Sequence, residues 1–350
     1  MSAQSETMMA WTKVRDEEGG FELIEHPIPN PDKGEVLVKT HSTSICGTDY
    51  HIWKWDEWSK QNVELGTITG HETCGEVVGI GEGVSSHNIG DKVAIECHFA
   101  CWECPRCAEG NAHVCENGVI FGVHQNGAFA PYFVAPANNA RTIPASMPLE
   151  LASILDPLGN AIHTLTGGPV EGATIAIHGL GPIGLFAIDV AKAMGAKMVI
   201  GIDWNNDYRM NLAKKLGADL VLGEEDDIVA EILAMTDGRG VDNSCEFSGA
   251  SAALSNAIRS TRKGGFLNVL SVYSNDSIPV PMNEIVFRYL HVKGINGRRM
   301  WSTWDTMDEL LAGGFLDIER VLTHRMPVAN FKDAMEIVSS GNCGKIVLDF

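Results

Sequence analysis

Positive charge is scarce in this chain: 26 Lys and Arg stand against 45 Asp and Glu, a formal net charge of −19. A field of that sign repels nucleic acid and anionic membrane, so neither is expected as a partner. Long apolar runs are missing too, and none reaches the ~20 residues that span a bilayer. The opening segment Met1-Ser2-Ala3-Gln4-Ser5-Glu6 has no charged stretch leading into an apolar one, so no secretion leader is expected and the setting is taken as the cytoplasm. Repeats, low-complexity tracts and long linkers are also lacking, which argues against solenoids and tethered arrays. Nine cysteines, an odd number without a leader, argue against a disulfide framework. What remains is 350 residues of 45% hydrophobic content, enough for two cores.

Five of the nine cysteines sit in spacings that suit metal. Cys46-Gly47-Thr48-Asp49-Tyr50-His51 and Gly70-His71-Glu72-Thr73-Cys74-Gly75 offer a thiol, an imidazole and a carboxylate on either side of a loop. Zn²⁺ prefers that donor set, and three protein ligands leave a position open for water or substrate, the mark of a catalytic site. Cys101-x2-Cys104-x2-Cys107-x7-Cys115 offers four thiolates, which close a tetrahedral ion on all sides and make a structural site. A nucleic-acid zinc ribbon would want two more widely separated knuckles and a basic surface, and only Arg106 lies between these ligands.

The second half reads as a nucleotide-binding unit. Ala173–His178 is a buried-strand run, followed directly by Gly179-Leu180-Gly181-Pro182-Ile183-Gly184, an apolar helix to Met194, and a second strand from Lys197 to Ile202 ending at Asp203. A lone glycine fingerprint is weak, but this one has the strand–turn–helix–strand context that dinucleotide binding needs. Asp203 is placed to accept from ribose hydroxyls and would repel a 2′-phosphate, which favours NAD over NADP; Arg209 would soften that repulsion or serve as a surface ion pair. Further strand–helix alternation to Leu270 predicts a doubly wound parallel sheet, with the segments from Leu270 and from Ile295 approaching the nicotinamide side.

The pattern Cys46-Gly47-Thr48-Asp49 with Gly70-His71-Glu72-x2-Gly75-x5-Gly81-x2-Val84 resembles the zinc-containing medium-chain alcohol dehydrogenases, and the resemblance runs along nearly the whole chain. It implies an α/β protein: a GroES-like antiparallel β catalytic domain over residues 1–156 and 300–350, and a Rossmann domain over 157–299. It implies that the segment around Asp156 supplies the third catalytic ligand, directly or through water, although an aspartate before Pro157 also suits a helix start. Glu72 is the other carboxylate able to enter the zinc shell. Residues 49–58 and 297–304 are similar to the branch of the family that oxidises L-threonine, which implies that substrate and 2-amino-3-ketobutyrate as product; the family forms dimers or tetramers, and a homo-tetramer is expected. A 2,3-butanediol or polyol dehydrogenase is the rival within the class, and a nucleotide-sensing zinc protein without turnover is the rival outside it.

The chemistry expected is oxidation of a secondary alcohol as a zinc-bound alkoxide that passes hydride to NAD. A metal that lowers the pKa of bound water from ~15.7 to ~7 shifts the balance toward the oxyanion by roughly 12 kcal/mol. Thr48 is read as the hydrogen-bond partner of the substrate oxygen and His51 as the proton exit, or alternatively a surface histidine. Asp49 is a candidate to orient His71, and His98 a weaker candidate for the substrate pocket. Trp53, Trp55 and Trp58 read as a hydrophobic cover or subunit contact rather than substrate contacts, with Asp56 and Glu57 available to a substrate ammonium.

Overall fold

The computed structural model describes residues 6–144, 147–204, 206–273 and 277–350; residues 1–5, most of the segment read for a leader, lie outside them. The chain opens with an antiparallel hairpin of β1 (Thr7–Lys13) and β2 (Phe21–Pro27). Then come β3 (Glu35–Ser44), α1 (Gly47–Lys54), α2 (Glu57–Asn62), β4 (Glu72–Ile80) and β5 (Lys92–Ile95). A small lobe of β6 (His98–Phe99), α3 (Pro105–Ala108) and β7 (Val119–Ile120) follows, before β8 (Tyr132–Pro136), β9 (Ala140–Thr142) and α4 (Leu149–Ala152). The two helices between Cys46 and His71 replace the loop that the sequence suggested. They are short and separately capped: Asp49 reaches back to the Cys46 backbone, and Asp56 accepts from the Ser59 N–H. Each such cap contributes ~1 kcal/mol.

The nucleotide-binding half follows α5 (Leu155–Leu165) and begins with β10 (Thr174–His178), α6 (Pro182–Ala193), β11 (Met198–Ile202), α7 (Asp207–Leu216) and β12 (Leu220–Leu222). It continues through α8 (Ile228–Met235), β13 (Val241–Glu246), α9 (Ser251–Ser260), β14 (Thr261–Val269), α10 (Met282–Arg288), β15 (His291–Gly294) and α11 (Ser302–Ala312). The six strands are all parallel, in the order β12-β11-β10-β13-β14-β15. Helices cover both faces of such a sheet, so the middle of β10 is an apolar run; Ile175, Ala176 and Ile177 are all fully buried. The strand order reverses between β10 and β13, and that reversal opens the crevice in which this fold class binds dinucleotides.

The chain returns through β16 (Leu322–Pro327), α12 (Phe331–Ser340) and β17 (Lys345–Asp349), completing a seven-stranded sheet in the order β16-β17-β3-β4-β5-β9, with β8 also paired to β3. Its core is built from Val36, Val38, Val77, Val93, Ile95 and Phe133, each worth about 1.5–3 kcal/mol when buried. Phe331 of α12 lies 5.0–5.1 Å from the rings of Trp11, Phe21 and Phe129 and 6.1 Å from Trp53, so Trp53 packs in an aromatic cluster. Two compact units result: Met1–Asp156 with His324–Ser340 and Lys345–Phe350, and Pro157–Thr323 with Gly341–Gly344. The expected boundary at residue 300 therefore shifts, because α11 and the turn after it group with the second unit, where the Asp317 N–H donates to Asp189 of α6 at 3.0 Å. No helix among the described residues is long and apolar enough to cross a membrane.

Candidate active site

Register is what brings Cys46 to His71. Strands β3 and β4 pair antiparallel with Ser44 opposite Glu72, so the residues just past Ser44 and just before Glu72 come to one end of the ladder. There Cys46 Sγ, a His71 ring nitrogen and a Glu72 carboxylate oxygen all lie within 4.8 Å of one another. Cys46 is also the N-cap of α1, and its N–H donates to Asp49 Oδ2 at 2.8 Å. Thr48 Oγ1 lies 3.7 Å from the Cys46 sulfur.

The donors are buried and their remaining atoms are already committed. Glu72 is fully buried, and Oε2 accepts from Lys345 Nζ at 2.5 Å and from Ser44 Oγ. Its Oε1 has no hydrogen-bond partner among the described residues, nor has His71 Nδ1, whose nearest carboxylate oxygen is Asp49 Oδ1 at 3.9 Å. Buried polar atoms are almost always satisfied, so two orphans beside a thiol fit the place of a cation. Charge says the same. Burial pulls the His71 imidazole down, yet Cys46 and Asp49 outweigh it and carry its pKa up to about 10. Such a pocket calls for positive charge, which a divalent ion supplies.

Asp156, expected as the third ligand, does not join that cluster. It is buried in the first turn of α5, as a helical residue and not as its N-cap. Lys345 and Ser44 were missed altogether. A lysine opening the apolar run Lys345-Ile346-Val347-Leu348 was the available signal, since a lysine buried there demands an anion.

His51 and Asp56 form a second constellation. His51 Nδ1 lies 2.5 Å from Asp56 Oδ2, while Asp56 Oδ1 accepts from Ser59 N and Oγ, both at 2.9 Å. Both oxygens of Asp56 are therefore engaged by protein. The reversal that returns Asp56 to His51 is made at Trp55, whose backbone is left-handed (φ 54°) and whose ring lies 4.4 Å from the Lys13 ammonium. His98 is turned inward, with Nδ1 2.9 Å from the buried Glu96 carboxylate.

The four lobe cysteines do gather: Cys115 lies 3.4 Å from Cys101 and 3.8 Å from Cys104, and Cys104 lies 3.6 Å from Cys107. Backbone N–H groups draw the Cys101 thiol down to about 6 and lower Cys104, whereas burial and neighbouring sulfurs push Cys107 up to about 12. Four sulfurs this close do not all ionise without a cation between them, and Zn²⁺ fits that need.

In the second unit, Gly179 sits at φ +95°, and a Cβ on Gly184 would fall 2.0 Å from the Gly179 carbonyl oxygen. Gly181 has open space where its Cβ would be, a flank that a pyrophosphate could approach, while Pro182 and Ile183 start α6. Asp203 closes β11, accepting from Leu180 N at 3.1 Å and Trp204 N at 2.7 Å; burial raises its pKa. Arg209 is anchored, Nε donating to the Cys343 carbonyl at 3.0 Å. Leu270 and Ile295 follow the carboxyl ends of β14 and β15, where their N–H groups donate to Glu246 O and Val269 O.

Comparison with known proteins agrees with this layout. Residues 32–145 match the family model of the alcohol dehydrogenase GroES-like domain, and residues 182–313 match that of the zinc-binding dehydrogenases. An L-threonine 3-dehydrogenase of Bacillus licheniformis is 44% identical, covering 97% of this chain and 98% of its own. One from Pyrococcus abyssi is 43% identical, over 98% of this chain and 99% of that one. Among solved structures, an alcohol dehydrogenase from Escherichia coli CFT073 complexed with NADH is similar at a TM-score of 0.90 and 27% identity, covering 98% and 99% of the two chains.

Proposed function

The chain belongs to the zinc-binding alcohol dehydrogenases with a GroES-like domain, and from that premise we propose that it oxidises L-threonine to 2-amino-3-ketobutyrate while reducing NAD. The observation that carries the substrate is 44% and 43% identity, spread over nearly the whole chain, to enzymes named for that reaction.

Cys46, His71 and Glu72 would hold a catalytic zinc, and Cys101, Cys104, Cys107 and Cys115 a structural one. When bound, the first zinc supplies Lewis acidity toward an alcohol oxygen, and NAD supplies the hydride acceptor. Everything else is work for side chains. Lys345 and Ser44 occupy one oxygen of Glu72, so Oε1 is the oxygen that would be left to a metal. Thr48 Oγ1 bonds the substrate hydroxyl and hands its proton on to His51. Because Asp56 engages Nδ1, the nitrogen of His51 left to take up that proton is Nε2, and the half-exposed ring can release it to water. On the cofactor side, the glycine turn at 179–184 approaches the pyrophosphate, and Asp203 receives the ribose hydroxyls and disfavours a 2′-phosphate.

We place the enzyme in the cytoplasm as a homo-tetramer with no nucleic-acid or membrane partner. One contact would run through β15, an edge strand with exposed backbone neighbours: Val292 is 48% exposed, and Phe287 and Tyr289 of the preceding turn are 80% and 75% exposed. An uncovered edge beside an apolar patch favours pairing with a second copy about a two-fold axis.

The test is initial rates with NAD on L-threonine, 2,3-butanediol and sorbitol. L-Threonine should give the highest kcat/KM, and faster turnover of either diol would defeat the substrate assignment. Binding of NAD without reduction on any alcohol would defeat the enzymatic reading itself.

A further inference from the structure

The second unit contains a buried anion with no part in the chemistry described so far. Glu246 ends β13, opposite His178 of β10, and is fully buried. Its Oε1 accepts from Ser248 N at 2.7 Å, Ser248 Oγ at 2.5 Å and Gly249 N at 3.1 Å, and its Oε2 accepts from Tyr273 Oη at 2.7 Å. Its main-chain oxygen accepts from Leu270 N at 3.1 Å and Ser271 Oγ at 3.2 Å. One residue therefore ties together the loops that follow β13 and β14. Those loops also touch: a Cβ on Gly249 would fall 2.5 Å from the Val272 carbonyl oxygen. The first of them rests on the glycine turn, since a Cβ on Gly179 would lie 2.8 Å from Ser248 N and 2.9 Å from Ser248 Cβ.

We propose that Glu246, with Tyr273 as its partner, is a positioning residue for the dinucleotide: it fixes the two loops against Gly179 before the cofactor arrives. The inference rests on assigning residues 179–184 to NAD, but not on the identity of the alcohol. Carboxylates are unwelcome near a pyrophosphate, and this one is tolerated because four donors disperse its charge. The gain is preorganisation. Loops already ordered charge no ordering entropy to binding, whereas loops released by mutation do. The effect should be confined to one side of the crevice, because Asp203 and the adenosine end lie beyond β10 at the end of β11, and Glu246 lies on the opposite side of β10.

Tyr273→Phe removes one donor and keeps the ring, and Glu246→Gln removes the charge at constant size. In the full-length protein, without alcohol, the dissociation constants of NAD and of 5′-AMP would be measured by titration calorimetry, beside the thermal midpoint of the ligand-free protein. NAD should weaken about tenfold in Tyr273→Phe and further in Glu246→Gln, while 5′-AMP affinity stays at the parent value; the Tyr273→Phe midpoint falls by no more than one lost buried hydrogen bond explains, so the variant remains folded at the titration temperature. Equal weakening of both ligands, or unchanged NAD affinity, would overturn the assignment. If Glu246→Gln does not fold, Tyr273→Phe decides alone.

Discussion

Removing Lys345 should harm the first unit far more than a lysine normally can. The residue is 1% exposed, and its ammonium lies 2.5 Å from Glu72 Oε2 and donates to the Ile45 carbonyl at 2.7 Å. Burial opposes that charge, but Glu72 and then Cys46 hold its pKa above the ordinary value. At an effective dielectric near 20 the attraction between unit charges at this separation is ~7 kcal/mol, of the same order as the several kcal/mol per ion needed to desolvate them. The intact pair is therefore close to neutral for stability. Lys345→Met removes the attraction and leaves the Glu72 carboxylate buried without its counter-charge, a loss of about 3–5 kcal/mol. For units of this size that corresponds to a fall of roughly 6–20 °C in the thermal midpoint. Calorimetry of the zinc-loaded and chelator-treated protein provides the assay, and the loss should be larger after chelation, when Oε1 of Glu72 has no cation to face. Adding Glu72→Gln should recover much of the loss, because the stranded charge goes with it. A Lys345→Met midpoint within about 1 °C of the parent, or a double variant whose loss is the plain sum of the singles, would refute this account of the site.

Cys46→Ser should lose turnover and one zinc per chain in metal analysis while the circular dichroism spectrum stays unchanged; an active variant would remove Cys46 from the ligand set. Cys104→Ser should lose the other zinc and, with it, several kcal/mol of stability, and a normally stable variant would count against a structural ion. Asp56→Asn should lower turnover near neutral pH by roughly tenfold or more, part of the ~10²–10⁴ that a positioned acid–base group supplies, with partial rescue by added imidazole buffer; full activity without buffer would exclude the His51–Asp56 pair from proton release. His178 is fully buried with no hydrogen-bond partner for either ring nitrogen among the described residues, and burial draws its pKa down to about 4. The unfolded chain takes up that proton near pH 6.5 and the folded one does not, so stability is complete above pH 6.5 and falls by about 3 kcal/mol as pH drops toward 4. Denaturation of His178→Leu across that range should lack this slope, and an identical slope would place the acid sensitivity elsewhere.

Much of the second unit was legible because its signals are local. A parallel strand buried on both faces is an unbroken apolar run, as at Ile175–Ile177, and the glycine turn that follows has a steric requirement that shows in composition. The four-cysteine lobe was legible for the same reason: its ligands lie within 15 residues of chain, and Cys has few other uses at that spacing. The helices α1 and α2 were not. Tryptophan every second or third residue between two metal-ligand motifs suggests an extended cover, and the helix-start signals at Asp49 and Asp56 are single residues within it.

The carboxylates show where local reading ends. Asp156, Glu72 and Glu246 are all acidic residues in apolar surroundings, and nothing within a few residues of any of them separates a metal ligand from a loop anchor. What separates them is the partner that the fold delivers from far along the chain: Lys345 to Glu72 across 273 positions, and Tyr273 to Glu246 across 27. A counter-charge on one oxygen of Glu72 leaves the other without a hydrogen-bond partner among the described residues, in a carboxylate that clusters with Cys46 and His71, whereas donors on both oxygens of Glu246 leave it nothing to offer a metal. Tertiary pairing of a carboxylate's second oxygen is not carried by its sequence neighbours, which is why the sequence points to a zinc centre without ranking the acids around it.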